Sequence, residues 1–342
     1  MNKNFYKIMS VVVILFFSYT KFQTVNASSE LSISSEVMEG DYATEAYAYE
    51  IKQQDILKFL ESVARHHDVD EGEFEYSSIP EVSMDRYSYF SESSNDSVQV
   101  SQVENSLAYG YTRNNGYMFY DIQNVIKENN LDITTDDELG FATKDEIQQE
   151  VENLIHSLGI ELEYAINIQS VTAEEVNNLL DEYFNLEANN IEISRFVTDL
   201  YMVSVNFSID GIPINSFAMG DYEAGVVAED TVFQLTFTEN GLENADLRGY
   251  NAVGEKQKEI NLDSQEIISL IENKYANIII LNETQLTSLE LVNLHLLGSK
   301  TSEESELYIP VWLGIIEQEV DGVTYPTYVF IDAETKKELT LF

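Results

Sequence analysis

The sequence contains no cysteine. Disulfides, thiol catalysis and thiolate metal ligation are therefore excluded, and so is a lipid-modified leader, which needs a cysteine at its cleavage point. Basic residues are nearly as scarce: 18 Lys and Arg stand against 61 Asp and Glu, a formal net charge of −43. Without a basic stripe to displace counterions from phosphates, nucleic acid is excluded as a partner. Anionic lipid headgroups likewise find no polybasic surface. Only four histidines, four prolines and one tryptophan are present. There is no Gly-rich phosphate loop, no G-x-S-x-G nucleophile elbow and no H-E-x-x-H helix. In a chain with 61 carboxylates, two of them close in sequence carry no information, and nothing marks a pair held across a cleft as a glycosidase needs. The expectation is a non-enzymatic chain without catalytic residues or cofactor, with a carboxylate-pair hydrolase as the weakest alternative.

What is present is enough apolar material for packed cores: 342 residues, 44% hydrophobic, with 21 tyrosines. That length corresponds to about two domains. Lys3 and Lys7 precede an apolar run over residues 8–19, followed by small residues around Ala27 with Val25 three positions before the cut. This reads as a signal peptide or N-terminal anchor over 1–27, since the run is short of the roughly 20 residues that span a bilayer. The chain is thus expected to be secreted or at the cell surface, touching a membrane only through an uncleaved leader. Ser/Glu-rich residues 28–45 read as a flexible tether.

A helix is expected from Ile51 through Ile56, Leu57, Leu60, Val63 and Ala64. Serine-rich 77–106 mixes short edge strands with loops, and Asn115-Gly116 marks a hairpin. Together, 46–138 reads as a first α+β domain. Three capped helices follow or nearly follow the capping-box pattern: Thr143 with Glu146, Thr172 with Glu175, and Asp263 with Glu266. Their apolar stripes are Ile147, Val151, Leu154, Ile155 and Leu158; then Val176, Leu179, Leu180 and Tyr183; then Ile267, Leu270, Ile271 and Tyr275. Alternating strands with turns at Asp210-Gly211, Asn240-Gly241 and Asp321-Gly322 lie between and after them. Helix followed by antiparallel strands thus occurs twice. The expected fold class is α+β, antiparallel sheets each covered by a helix, with a second domain over 139–342 made of halves at about 139–258 and 259–342.

Several of these segments carry a family likeness. "TKDEIQQEVENLIHSLGI" and "DSQEIISLIENKY" look like the helices that open PepSY-type modules, and "VNFSIDGIPI" like their strand-turn-strand step. "YIPVWLGIIE" followed by "YVFIDAETKKEL" is similar to the closing hairpin, in which Pro-x-Trp precedes an Asp-Ala-x-Thr-Gly turn; Lys336 stands where that pattern has glycine. Residues 140–342 resemble the YycH/YycI-type (PepSY-like) extracytoplasmic regulators of Gram-positive bacteria. The resemblance implies two PepSY/YycI-like halves and an outward-facing regulatory module, in which YycI-type proteins restrain a membrane sensor kinase and PepSY modules a protease. The partner is then another protein. Asp332 becomes a turn-former, with no acid-base role.

Two features remain as site candidates. "RHHDVDEGEFE" brings together His66, His67, Asp68 and Asp70, the candidate metal ligands. Against a calcium loop, Gly72 comes one residue early and Glu75 four early; against zinc, adjacent helical histidines point about 100° apart. The cluster therefore reads first as a solvated helix end, and a calcium-dependent binding protein is the alternative function that it and the acidic charge support. His156 and His295 read as boundary or core residues. Trp312 is either an anchor for a partner or a core plug. Its strand neighbours Ile309, Val311, Leu313 and Ile315 form the better core face, but a helix over the other side would bury Trp312, and burial is the expected outcome.

Overall fold

The structure is a computed structural model describing residues 31–80, 83–114, 133–175, 177–178, 198–216, 219–221, 226–228, 230–276, 282–297, 307–320 and 322–339. The leader, the Asn115-Gly116 hairpin and the stripe of the second capped helix lie outside the described residues. The chain begins with β1 (Ser32–Ile33), the single-turn helix α1 (Ser35–Met38) and β2 (Glu45–Lys52). Helix α2 (Ile56–His66) leads into a meander of β3 (Glu75–Ile79), β4 (Met84–Phe90), β5 (Ser97–Val103) and β6 (Ser106–Thr112). Helix α3 (Lys144–Ser157) precedes β7 (Glu163–Val171) and β8 (Leu200–Ile209). Short strands β9 (Ile212–Pro213), β10 (Met219–Asp221) and β11 (Val226–Ala228) come before β12 (Val232–Thr238), β13 (Gly241–Tyr250) and β14 (Ala252–Asn261). Helix α4 (Ser264–Ala276) is followed by β15 (Thr284–Leu297), β16 (Leu307–Val320), β17 (Val323–Asp332) and β18 (Glu338–Leu339).

These strands form two sheets. Sheet one has the order β3-β4-β5-β6-β13-β12-β8-β7, with β9 on β8. Sheet two runs β10-β11-β15-β16-β17-β18, with β1 on β15 and β2 joining β14 to β16. Between these strands the ladders are antiparallel except β1 on β15. The fold is α+β with antiparallel sheets.

Each sheet buries one face under helices, and the local sequence explains which. Thr143 caps α3 by accepting from Glu146 N (3.2 Å), while Glu146 accepts from Thr143 N (2.9 Å). That satisfies two of the four orphan donors at the helix start. The stripe Ile147, Val151, Leu154, Ile155 and Leu158 then packs on sheet one against Val205, Phe207, Phe233 and Phe237. Gly159 ends the helix in the left-handed region, φ 72°. Helix α2, capped by Asp55 on Leu57 N, adds Phe59, Leu60 and Val63 to the same core. Helix α4 lays Ile267, Ile268 and Ile271 on sheet two against Leu286, Ile316 and Trp312. Its Leu270, expected in the stripe, is exposed.

Trp312 is 1% exposed beneath α4, with Tyr42 edge-on at 5.6 Å. It is a core plug, worth about 4–6 kcal/mol of burial as an upper estimate. Both faces of β16 are covered: Val311 and Leu313, on the other side, pack with Val292, Leu294 and Phe330. At the closing turn Asp332 Oδ1 accepts from Glu334 N and Thr335 N, both at 2.8 Å. Lys336 adopts φ 57°, so it occupies the left-handed conformation that a glycine would take without steric cost.

Three sequence expectations need correction. Residues 31–45 do not behave as a loose tether: β1 pairs with β15, Ser34 N donates to Leu286 O, and Val37 is buried in the α4 core. The helix expected from Ile51 starts at Ile56, because Ile51 is still in β2, opposite Val253. Residues 46–138 do not form a separate domain. Strand β6 pairs with β13 through Asn244↔Thr112 to Tyr250↔Leu107, so a cut at 138/139 splits sheet one. Strand β2 meanwhile belongs to sheet two. No single cut separates the sheets: β1, β2, β10 and β11 belong to sheet two with β14–β18, while β3–β9, β12 and β13 make up sheet one.

Gly314 lies on the face of β16 that α4 covers, and a Cβ there would sit 3.2 Å from Ile271 Cδ1 and 3.3 Å from Leu286 Cδ1. Gly314→Val is expected to lower unfolding stability by about 1–3 kcal/mol through overpacking, read as a shift in the urea midpoint at unchanged slope.

Candidate functional site

The sequence cluster at 66–75 runs from the last residue of α2 through a 3-10 turn to the first residue of β3. Asp70 Oδ1 accepts from Gly72 N (2.9 Å), capping a 3-10 turn, and Asp68 takes a left-handed φ of 54° as the chain leaves the helix. His66 Nδ1 lies 2.9 Å from Ser157 Oγ at the end of α3. His67 Nε2 lies 2.6 Å from the Tyr109 hydroxyl of β6, and its ring stacks on Tyr111 at 4.5 Å. The two histidines thus tie α2 to α3 and to sheet one. Among the described residues no group of three His, Asp or Glu side chains is placed to hold a metal ion. His156 is exposed on α3, and His295 is buried near Tyr308.

Burial pushes the His67 pKa down to about 4, helped by His66 and opposed by Asp96. Burial also lifts the Tyr109 hydroxyl well above its usual value, and burial followed by Asp96 takes Tyr111 to about 12. His67 is therefore neutral at pH 7, and its hydrogen bond to Tyr109 joins two uncharged groups.

A second element stands out by exposure. Strand β17 pairs with β16 from Val320↔Val323 to Val311↔Asp332, but β18 joins it only at Phe330 and Ile331. Its first six residues, Val323–Tyr328, are all exposed. They include Val323 at 51%, Tyr325 at 54% and Tyr328 at 39%. Alternation places Tyr325 and Tyr328 on opposite faces of the strand. None of the six is charged, whereas the paired β16 residues include Glu317 and Glu319. Sequence reasoning treated this stretch as half of a closing hairpin. The missing signal was the absence of charge over six residues in a chain with this many carboxylates.

The pH dependence of the His67 contact follows from its shift. Unfolded, the group takes up its proton near 6.5; folded, only near 4. Between those values the unfolded chain binds more protons, so stability falls as pH is lowered through the window, by up to about 3 kcal/mol. Chemical denaturation of the wild type and His67→Gln from pH 7 to pH 4 should show the stability difference between them shrinking by that amount. A constant difference would contradict the assignment.

No protein-family model matches the chain, and no curated protein matches it. Among solved structures it is similar to an uncharacterised protein from Eubacterium rectale ATCC 33656, with a TM-score of 0.60, 14% identity and 86% of each chain covered. At that identity the likeness is one of fold.

Proposed function

We propose that this chain is an exported, non-enzymatic regulatory protein that acts by binding another protein, with the edge of β17 as its contact. The supporting observation is the exposed, uncharged segment Val323–Tyr328 with its two tyrosines. Tyrosine gives large contact area with few rotatable bonds, which suits an interface anchor. An edge strand offers main-chain groups to an extended segment of a partner. Pro326 removes one donor from that edge, so recognition relies on the tyrosine side chains more than on a complete ladder. The flanking Glu317 and Glu319 and the net charge of −43 favour a partner segment that is basic. A membrane sensor kinase or a protease is the partner class that the YycI/PepSY resemblance implies, and the leader at 1–27 would bring the chain to the compartment where such partners are displayed.

A photo-crosslinking residue in place of Tyr325, in producing cells, should yield one discrete adduct with a second protein. Tyr328→Ala should weaken that adduct about tenfold, corresponding to an interface residue worth roughly 1–2 kcal/mol. The same adduct from the exposed Leu57 of α2, or none from position 325, would overturn the reading.

A further inference from the structure

The helices cover one face of sheet one, and the other face holds a hollow of about 380 Å³ over β5, β6 and β13. Strand alternation explains its lining. Val98, Val100, Leu107, Tyr109, Ala245 and Leu247 point into the helix-covered core. The intervening Gln99, Ser101, Ala108, Gly110, Asn244 and Asp246 line the opposite face. Gly110 is opposite Gln99 on one side and Asp246 on the other, and a Cβ built on it meets nothing within 4 Å. The hollow exists because Gly110 and Ala108 leave the middle strand bare between polar walls. Its size falls at the lower end of the range for small-molecule sites.

The chemistry of the β13 wall is unbalanced. Asn244 is 5% exposed and donates through Nδ2 to Tyr111 O (3.1 Å), but its Oδ1 has no hydrogen-bond partner. Gln234 Oε1, on β12 opposite Asp246, has none either. Arg248 Nε lies 3.1 Å from Asp246 Oδ2 but off the hydrogen-bonding line, and Arg248 Nη1 is 3.6 Å from Asp230 Oδ2. Two carboxylates thus share one guanidinium; Asn244 Oδ1, Gln234 Oε1 and Asp246 Oδ2 lack a donor, while Arg248 Nε lacks an acceptor. Burial raises the Asp246 pKa, against Arg248 and together with Asp230. Buried acceptors without donors are costly, so the hollow favours a guest that brings N–H and O–H groups and a positive charge. Ser97, Ser101 and Thr112 along the other walls can each give and accept a hydrogen bond, which suits hydroxyl groups.

We infer that this hollow is a binding site for a small hydroxylated amine of amino-sugar size, its ammonium directed at Asp246 and Asn244 and its hydroxyls at the Ser/Thr walls. The site is independent of the β17 edge and lies on a different sheet. Calorimetric titration of the full chain with D-glucosamine at pH 6.5, where the amine is protonated, should give saturable binding. Gly110→Val fills the hollow at a position with no left-handed φ and with a residue that favours strands. It should weaken binding at least tenfold while leaving the thermal midpoint within a few degrees. Asp246→Asn, which keeps the side-chain shape, should weaken it similarly and serves as the second variant should Gly110→Val not fold. Absence of saturable binding, or binding unchanged in both variants, overturns the site. N-acetylglucosamine binding as tightly as glucosamine overturns the role of the ammonium, and putrescine binding as tightly overturns that of the hydroxyls.

Discussion

Strand β2 is buried on both faces, and both cores depend on it. Ala46 and Ala48 face the core beneath α4, while Tyr49 and Ile51 face the core of α2, α3 and sheet one. Its ladder partners are β14 and β16, some 200 or more residues further along the chain. The small alanines suit the side where α4 lies close; the larger residues fill the other. Tyr49 also reaches out of its sheet: its hydroxyl donates to Asp210 at the β8–β9 turn of sheet one, where Lys256 Nζ sits 2.6 Å from the same oxygen. Burial keeps the Tyr49 pKa near 12, so the hydroxyl remains a donor at ordinary pH. Lys256, followed by Tyr49, holds the Asp210 carboxyl below its usual range.

The second connection is the passage of one strand from sheet to sheet. β13 and β14 are separated only by Asn251, which is fully buried and donates to Gly249 O. Gly249 sits at φ 64°, a conformation that turns the strand without a Cβ clash. Gln54, just after β2, donates to Tyr250 O and to Asn105 O, so the crossing, the end of β2 and the β5–β6 turn are pinned together. A strand that bends from one sheet into another is a usual way to make such a corner. With the helices committed to one face of each sheet, the surfaces proposed for recognition are the opposite face of sheet one and the edge of β17.

The parts of this arrangement legible in the sequence are the local ones. Thr143 with Glu146 and Asp263 with Glu266 announce α3 and α4, because a cap and its first turn are contiguous in sequence. Asp332 is readable as a turn-former for the same reason. Burial of Trp312 was conditional on a covering helix, and α4 supplies it. What stayed hidden depends on distant pairing. Nothing in residues 45–52 reveals that their partners are near 252–261, so β2 was assigned to an N-terminal domain and the segment before it to a tether. The cluster at 66–75 reads as a solvated helix end, and the tie that His67 makes to sheet one is not legible there because its contacts to Tyr109 and Tyr111 come from a strand 42 or more residues on. The hollow over Gly110 is made by an absent side chain, and the exposed stretch of β17 by the lack, among the described residues, of a neighbour strand along it. An absence of either kind acquires meaning only once the ladders are known.

The account rests on β2 being part of sheet two. Hydrogen–deuterium exchange on the full chain tests this most directly. Amides of 45–52 should be protected together with those of 252–261 and should open with them in mild denaturant. Opening of 45–52 in step with 75–112 while 252–261 stays protected, as a separate 46–138 domain would require, would contradict it.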